Sequence, residues 1–156
     1  MNFNEAININ TNVTVTVKDI KSGKILQVIK EHNLAVTTGK DLLRDFLNGD
    51  AVTGLTYLAI GTDNTAAIAG NTTLGVEVFR KVYTTTTKTS ATLNMMTYIS
   101  STEGNGNTIV EAGLFGNGAT GSADSGTLYS RVIHTAIVKT TAIGITYDWD
   151  VTLTAS

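Results

Sequence analysis

Apolar residues recur at every second position along much of this chain, and the places where they do not are equally informative. Val13, Val15 and Val17 alternate with Thr14, Thr16 and Lys18, and beyond Lys21-Ser22-Gly23-Lys24 a second run extends from Ile25 to Ile29. Alternation on both sides of a glycine turn predicts a β-hairpin. Near the other end, Ile143, Ile145, Tyr147, Trp149, Val151 and Leu153 share a face against Thr146, Asp148, Asp150 and Thr152. This longest alternation predicts a strand with one wet and one buried face, the latter holding Trp149. Ala91, Leu93, Met95 and Ile99 oppose Thr92, Asn94 and Ser100 in the same way, and Leu55 to Ile60 supplies another strand.

The period changes once. Thr38-Gly39-Lys40-Asp41 places a Thr three positions before an acid, Leu42, Leu43, Phe46 and Leu47 follow at helical spacing, and Asn48-Gly49 is a stop signal. An amphipathic helix of about ten residues, with its Leu/Phe stripe laid on a sheet, is predicted. Thr72 to Val78 reads as a turn of helix, and Arg80-Lys81 as the entry to a strand from Val82 to Lys88. Within that strand Thr84, Thr85, Thr86 and Thr87 put hydroxyls on both faces, the mark of an edge strand open to a neighbouring subunit.

From Thr108 to Thr135, two apolar runs flank a loop of small residues, about eleven long, which is unusual for a hairpin and suited to contacts. Folding this hairpin symmetrically about Gly121 sets Glu111 opposite Arg131, an opposite-charge rung among apolar neighbours that would fix the register. Gly116, Asn117, Gly118, Gly121 and Gly126 are the candidate contact-loop positions. Their Gly-x-Gly-x-x-Gly spelling precedes Ser-Ala-Asp-Ser-Gly and no helix, so nothing there offers a dipole to a pyrophosphate.

Taken together the pattern gives about eight to ten strands and one helix: an all-β, mainly antiparallel domain, a β-sandwich or partly closed barrel. The 156 residues suit a single domain, with residues 1–11 as an Asn-rich extended arm. Pro and Cys are both absent, which removes disulfides, thiolate zinc sites and cysteine nucleophiles. A net charge of -2 with 15% charged residues gives no field for a phosphate backbone, so direct nucleic-acid binding is not expected. No signal-peptide pattern or membrane-length apolar run is present, and synthesis and folding in a cytoplasm are expected.

Catalytic chemistry finds little to work with. His32 and His134 are the only histidines and neither has a metal-site neighbour, so both read as structural. Asp148 and Asp150 lie on one strand face about 6.8 Å apart, a spacing open to calcium but more in keeping with a solvated face. Neither catalytic residues nor a cofactor, metal or small-molecule substrate is expected.

Several segments together resemble a class of small tailed-bacteriophage virion proteins. They are Asn33-Leu34-Ala35-Val36 with Gly39 to Leu43, Tyr57 to Thr62, Thr73-Leu74 before Arg80-Lys81, Glu111 to Phe115, Tyr129 to Val132 and Trp149-Asp150-Val151. The resemblance implies a structural subunit of the virion at the neck, collar or tail. Its partners would be copies of itself in a symmetric homo-oligomer and other virion proteins. One alternative is a capsid decoration protein, bound to the shell lattice through its N-terminal arm. Another is a carbohydrate-binding adhesion module of a tail fibre, for which Tyr57, Tyr83, Tyr98, Tyr129 and Trp149 are the stacking candidates.

Overall fold

The computed structural model describes residues 7–155, which form a two-sheet antiparallel β-sandwich with one helix. In chain order the elements are β1 (Ile7–Asp19), β2 (Ile25–His32), β3 (Leu34–Ala35), α1 (Thr37–Asn48), β4 (Leu55–Gly61), β5 (Glu77–Val82), β6 (Thr85–Thr89), β7 (Thr92–Ile99), β8 (Thr108–Gly116), β9 (Thr127–Val138) and β10 (Ile143–Ala155). One sheet has the order β2-β1-β10-β7-β6 and the other β3-β9-β8-β4-β5. The sheets remain separate, so of the two expected architectures the sandwich forms and the barrel does not.

The alternating strands behave as their pattern demands. Val13, Val15 and Val17 of β1 face Trp149, Tyr147 and Ile145 of β10 across the ladder, and all six side chains are buried. They meet Leu58, Ile60, Ala112, Leu114 and Val132 of the second sheet in one core that both sheets share. The second half of the expected N-terminal arm belongs to this ladder: Ile7 to Thr11 pair with Val151 to Ala155, while Met1 to Ala6 lie outside the described residues.

Strands β8 and β9 break the simple alternation because both of their faces are covered. On the far side of the second sheet Val36, Ala59, Leu74, Phe115 and Leu128 form a smaller core beneath the segments that overlie it. A strand buried on both sides reads as a continuous apolar run. That is how Ile-Val-Glu-Ala-Gly-Leu-Phe appears in the sequence.

The structure departs from the sequence expectation at several places. Helix α1 is capped by Val36, without a side-chain hydrogen bond, because the Thr38 hydroxyl instead donates to the Leu128 carbonyl at 2.7 Å. The helix docks through Gly39, where a Cβ would collide with the Tyr129 backbone, and the Leu/Phe stripe is left largely uncovered: Phe46 is 66% and Leu47 74% exposed. Gly49 ends α1 in the left-handed conformation, as its position suggested. Thr72 to Val78 contains no helical turn and passes into β5. The strand expected from Val82 to Lys88 is two strands, since the chain leaves one sheet after Val82 and enters the other at Thr85.

The long hairpin also departs from the symmetric pairing about Gly121. Irregularities between Ile109 and Glu111, and again between Leu114 and Phe115, shift the register so that Glu111 lies opposite Ile133 and Arg131 opposite Gly113. The two charges are diagonal neighbours rather than one rung, and long side chains span that offset.

Candidate functional site

Two buried ion pairs hold the loops that cover the second sheet. Glu111 is fully buried, and its Oε2 accepts from Arg131 Nε at 2.9 Å and lies 2.8 Å from Arg131 Nη2. The same carboxylate accepts from three backbone amides of the segment between β4 and β5: Asp63 at 3.2 Å, Gly75 at 3.0 Å and Val76 at 2.9 Å. Arg131 also reaches Asn71 Oδ1 at 3.1 Å and Asp63 Oδ2 at 3.2 Å. Hydrogen bonds from the Thr65 hydroxyl and amide, with Arg131 behind them, hold the Asp63 carboxyl below the usual range. Every acceptor direction of Glu111 is thus used, which is what makes a buried carboxylate tolerable. Gly61 leaves room for it: a Cβ there would collide with this carboxylate and with the Val76 carbonyl. The expected Glu111 and Arg131 pairing is present, and it fastens a 15-residue connection as well as a hairpin.

The second pair, Glu77 with Arg80, sequence reasoning missed. Arg80 binds Glu77 through Nε at 2.6 Å and Nη2 at 2.7 Å, with both side chains 2% exposed. Its Nη1 donates to the carbonyls of Thr120 at 3.1 Å and Ser125 at 2.9 Å, and its guanidinium lies 4.5 Å above the Phe115 ring. Residues 116–126, the candidate contact loop, are therefore folded around a cation. The Ser125 hydroxyl donates to the Ser122 carbonyl at 2.7 Å and accepts from the Thr120 amide at 2.9 Å. Gly118 and Gly126 adopt positive φ, as does Asn117, and a Cβ at Gly126 would strike Ala119. Gly121 has open space around its Cα. An acid and an Arg three residues apart at the start of a strand was the signal in the sequence.

The open surfaces lie elsewhere. Strand β6 is the outer strand of its sheet, pairs only with β7, and all five of its residues are exposed. Thr85, Thr86 and Thr87 of the expected edge belong to it. Thr84 precedes it, its amide donating to Met96 O at 2.8 Å and its hydroxyl accepting from the Tyr98 amide at 3.0 Å. Beside this edge, between α1 and the sandwich, runs an apolar groove of about 350 Å³. Leu42, Leu43 and Phe46 line it from α1, Leu55 from β4, and Leu93 and Leu153 from β7 and β10. Ala91, in the turn from β6 to β7, also lines the groove, which brings it to the end of the β6–β7 hairpin.

The remaining candidates are dispersed. His32 is exposed at the end of β2, whereas His134 is buried, its ring 3.0 Å from the Tyr147 hydroxyl and 2.8 Å from the Thr135 carbonyl. Burial pushes its imidazolium below the ordinary value. Asp150 accepts from Asn94 at 2.8 Å, and burial together with Asp150 raises Asp148. Among the described residues no group of three His, Asp or Glu side chains is placed to hold a metal. Of the aromatic candidates, Trp149 is fully buried, Tyr129 is 8% exposed, and Tyr57 and Tyr83 are half-buried with the Tyr83 hydroxyl donating to Tyr57 O at 3.2 Å. Burial raises the Tyr83 phenol. Tyr98 alone presents an open ring, so these five side chains form no shared platform. No helix among the described residues is long and apolar enough to cross a membrane. No protein-family model, curated protein or solved structure matches this chain.

Proposed function

We propose that this chain is a non-enzymatic structural subunit of a bacteriophage particle that assembles with copies of itself at the neck, collar or tail. The observation that carries the reading is an outer strand, β6, exposed along its whole length, together with an apolar groove at the same end of the sandwich as the β6–β7 turn. An edge strand offers a row of backbone groups to another strand, and natural proteins normally blunt or cover such edges. Here only Lys88 interrupts the Thr residues of β6. The adjacent groove and the exposed Phe46 and Leu47 supply the apolar centre that a specific interface needs around such a contact. The occupant is a second copy of the chain, because Phe46 lines the groove yet stays exposed, as does the neighbouring Leu47, and a symmetric pair of subunits would bury both at once.

The sequence resemblance to small virion proteins directs this self-association to a phage particle, and the two clamped loops fit a subunit whose outer surface must keep its shape. Immunogold labelling of tailed-phage particles from a lysate containing this protein tests the assignment. Gold confined to the neck, collar or tail is expected. Label spread over the shell would make the chain a decoration protein, and particles without label would contradict a virion role.

A further inference from the structure

Lys139 follows β9 and is fully buried, yet no carboxylate of the described residues comes within ion-pair distance of it. Its Nζ is met by two neutral oxygens, Asn105 Oδ1 at 2.9 Å and the Thr140 carbonyl at 3.0 Å. Glu103, the acid on the same loop, is occupied by Lys81 at 2.9 Å. A buried ammonium without a counter-ion is costly, and proteins resolve the cost by pairing, deprotonation or chemical removal of the charge. A direct ion pair is missing here among the described residues, and Glu103 acts on Lys139 only from a distance.

The surrounding backbone fixes the two side chains against one another. The Gly106 amide donates to the Lys139 carbonyl at 3.0 Å, and the Lys139 amide to the Asn107 carbonyl at 2.9 Å. Asn105 Nδ2 donates to Ser101 O at 2.7 Å, which orients its carboxamide with the carbonyl toward the lysine. Gly104 and Gly106, both at positive φ, let the loop wrap closely around residue 139. Two groups held this way react as one molecule, with the entropic cost of their encounter already met by folding.

We infer that Lys139 and Asn105 are the partners of an intramolecular isopeptide bond formed after folding. The neutral Nζ attacks Asn105 Cγ, a C–N bond forms, the Cγ–Nδ2 bond breaks, and Nδ2 leaves as ammonia carrying a proton from Nζ. No oxidant, reductant or further reactant is needed. Burial favours the reactive form, since it pushes the Lys139 ammonium below its usual range against the opposing pull of the Glu103 charge. The product is a neutral amide that removes the unpaired charge and closes a covalent ring from residue 105 to 139, enclosing β8 and β9 and the loop between them. Such a cross-link would give a cysteine-free chain the restraint that disulfides give elsewhere.

The test is the intact mass of the full chain, measured under denaturing conditions after the folded protein has stood for several days at mildly alkaline pH. A mass lower than that of the sequence by one ammonia is expected, with proteolysis releasing a branched peptide that joins the segments carrying Asn105 and Lys139. Lys139→Arg and Asn105→Ala should each keep the full mass of their own sequences. An unmodified wild-type mass would overturn the inference. So would an ammonia loss that persists in Lys139→Arg without a branched peptide, which would mark a cyclic imide at Asn105-Gly106.

Discussion

Glu111→Gln removes one charge from the second sheet while keeping size and shape, so its cost isolates what the carboxylate does. In the native protein Oε1 serves the amides of Asp63 and Val76, and Oε2 serves Gly75 and both near nitrogens of Arg131. A glutamine can keep its oxygen toward the first pair, but its NH2 then faces the Gly75 amide and Arg131, donor against donor. Breaking a buried ion pair costs about 3–5 kcal/mol, with the partner charge left partly uncompensated. Asp63 keeps a contact to Arg131 at 3.2 Å and draws the estimate toward the lower end. Urea unfolding should move to a midpoint roughly 1.5 M lower at an m-value of about 2 kcal/mol/M. A loss below about 1 kcal/mol, the value of an exposed pair, would refute the reasoning. Exchanging the charges, Glu111→Arg with Arg131→Glu, should not restore stability. Three backbone amides need an acceptor at position 111, and pairing alone would have predicted recovery.

Other substitutions probe separate parts of the structure. Gly39→Ala should destabilise by about 1–3 kcal/mol in thermal melts, because α1 must lift off the Tyr129 backbone. His134 has a folded value below its ordinary 6.5, so its contribution is complete above that pH and is lost as pH falls from there to the folded value; His134→Gln should flatten this part of the stability profile measured by urea midpoints. Asp148 is shifted the other way: its ionised form is penalised as pH rises above its ordinary 3.8, so Asp148→Asn should raise the melting temperature at neutral pH and change little in acid. Phe46→Asp, on an exposed side chain, should leave the melting temperature nearly unchanged while lowering the mass of the assembled species in a sizing experiment.

Much of the architecture was legible because alternation is a direct record of one-sided burial. β1, β7 and β10 each have a wet outer face, and for these strands the pattern identified the buried side chains, Trp149 among them. Legibility failed where a second layer intervened. The covering of β8 and β9 on both faces erased their period, and the irregularities that displaced Arg131 from Glu111 leave no mark in the sequence. Helix α1 was visible, but its contact surface was not: Gly39 sets the docking distance, and the apolar stripe that signalled the helix lines an open groove instead of the sheet. Of the candidate contact elements, the Thr-rich edge lies where its composition suggested. The loop at Gly116 to Gly126 turned out to be tied to Arg80, whose partners are spread over some fifty positions of sequence. Lys139 gave no signal beyond being a lone cation after an apolar strand.

The central claim is that the β6 edge and the adjoining groove join copies of this chain. Light scattering behind a sizing column, run across a wide concentration range, measures it directly. A discrete oligomer whose mass is a fixed multiple of the chain is the expected result. A strict monomer at every concentration would contradict self-assembly through this surface.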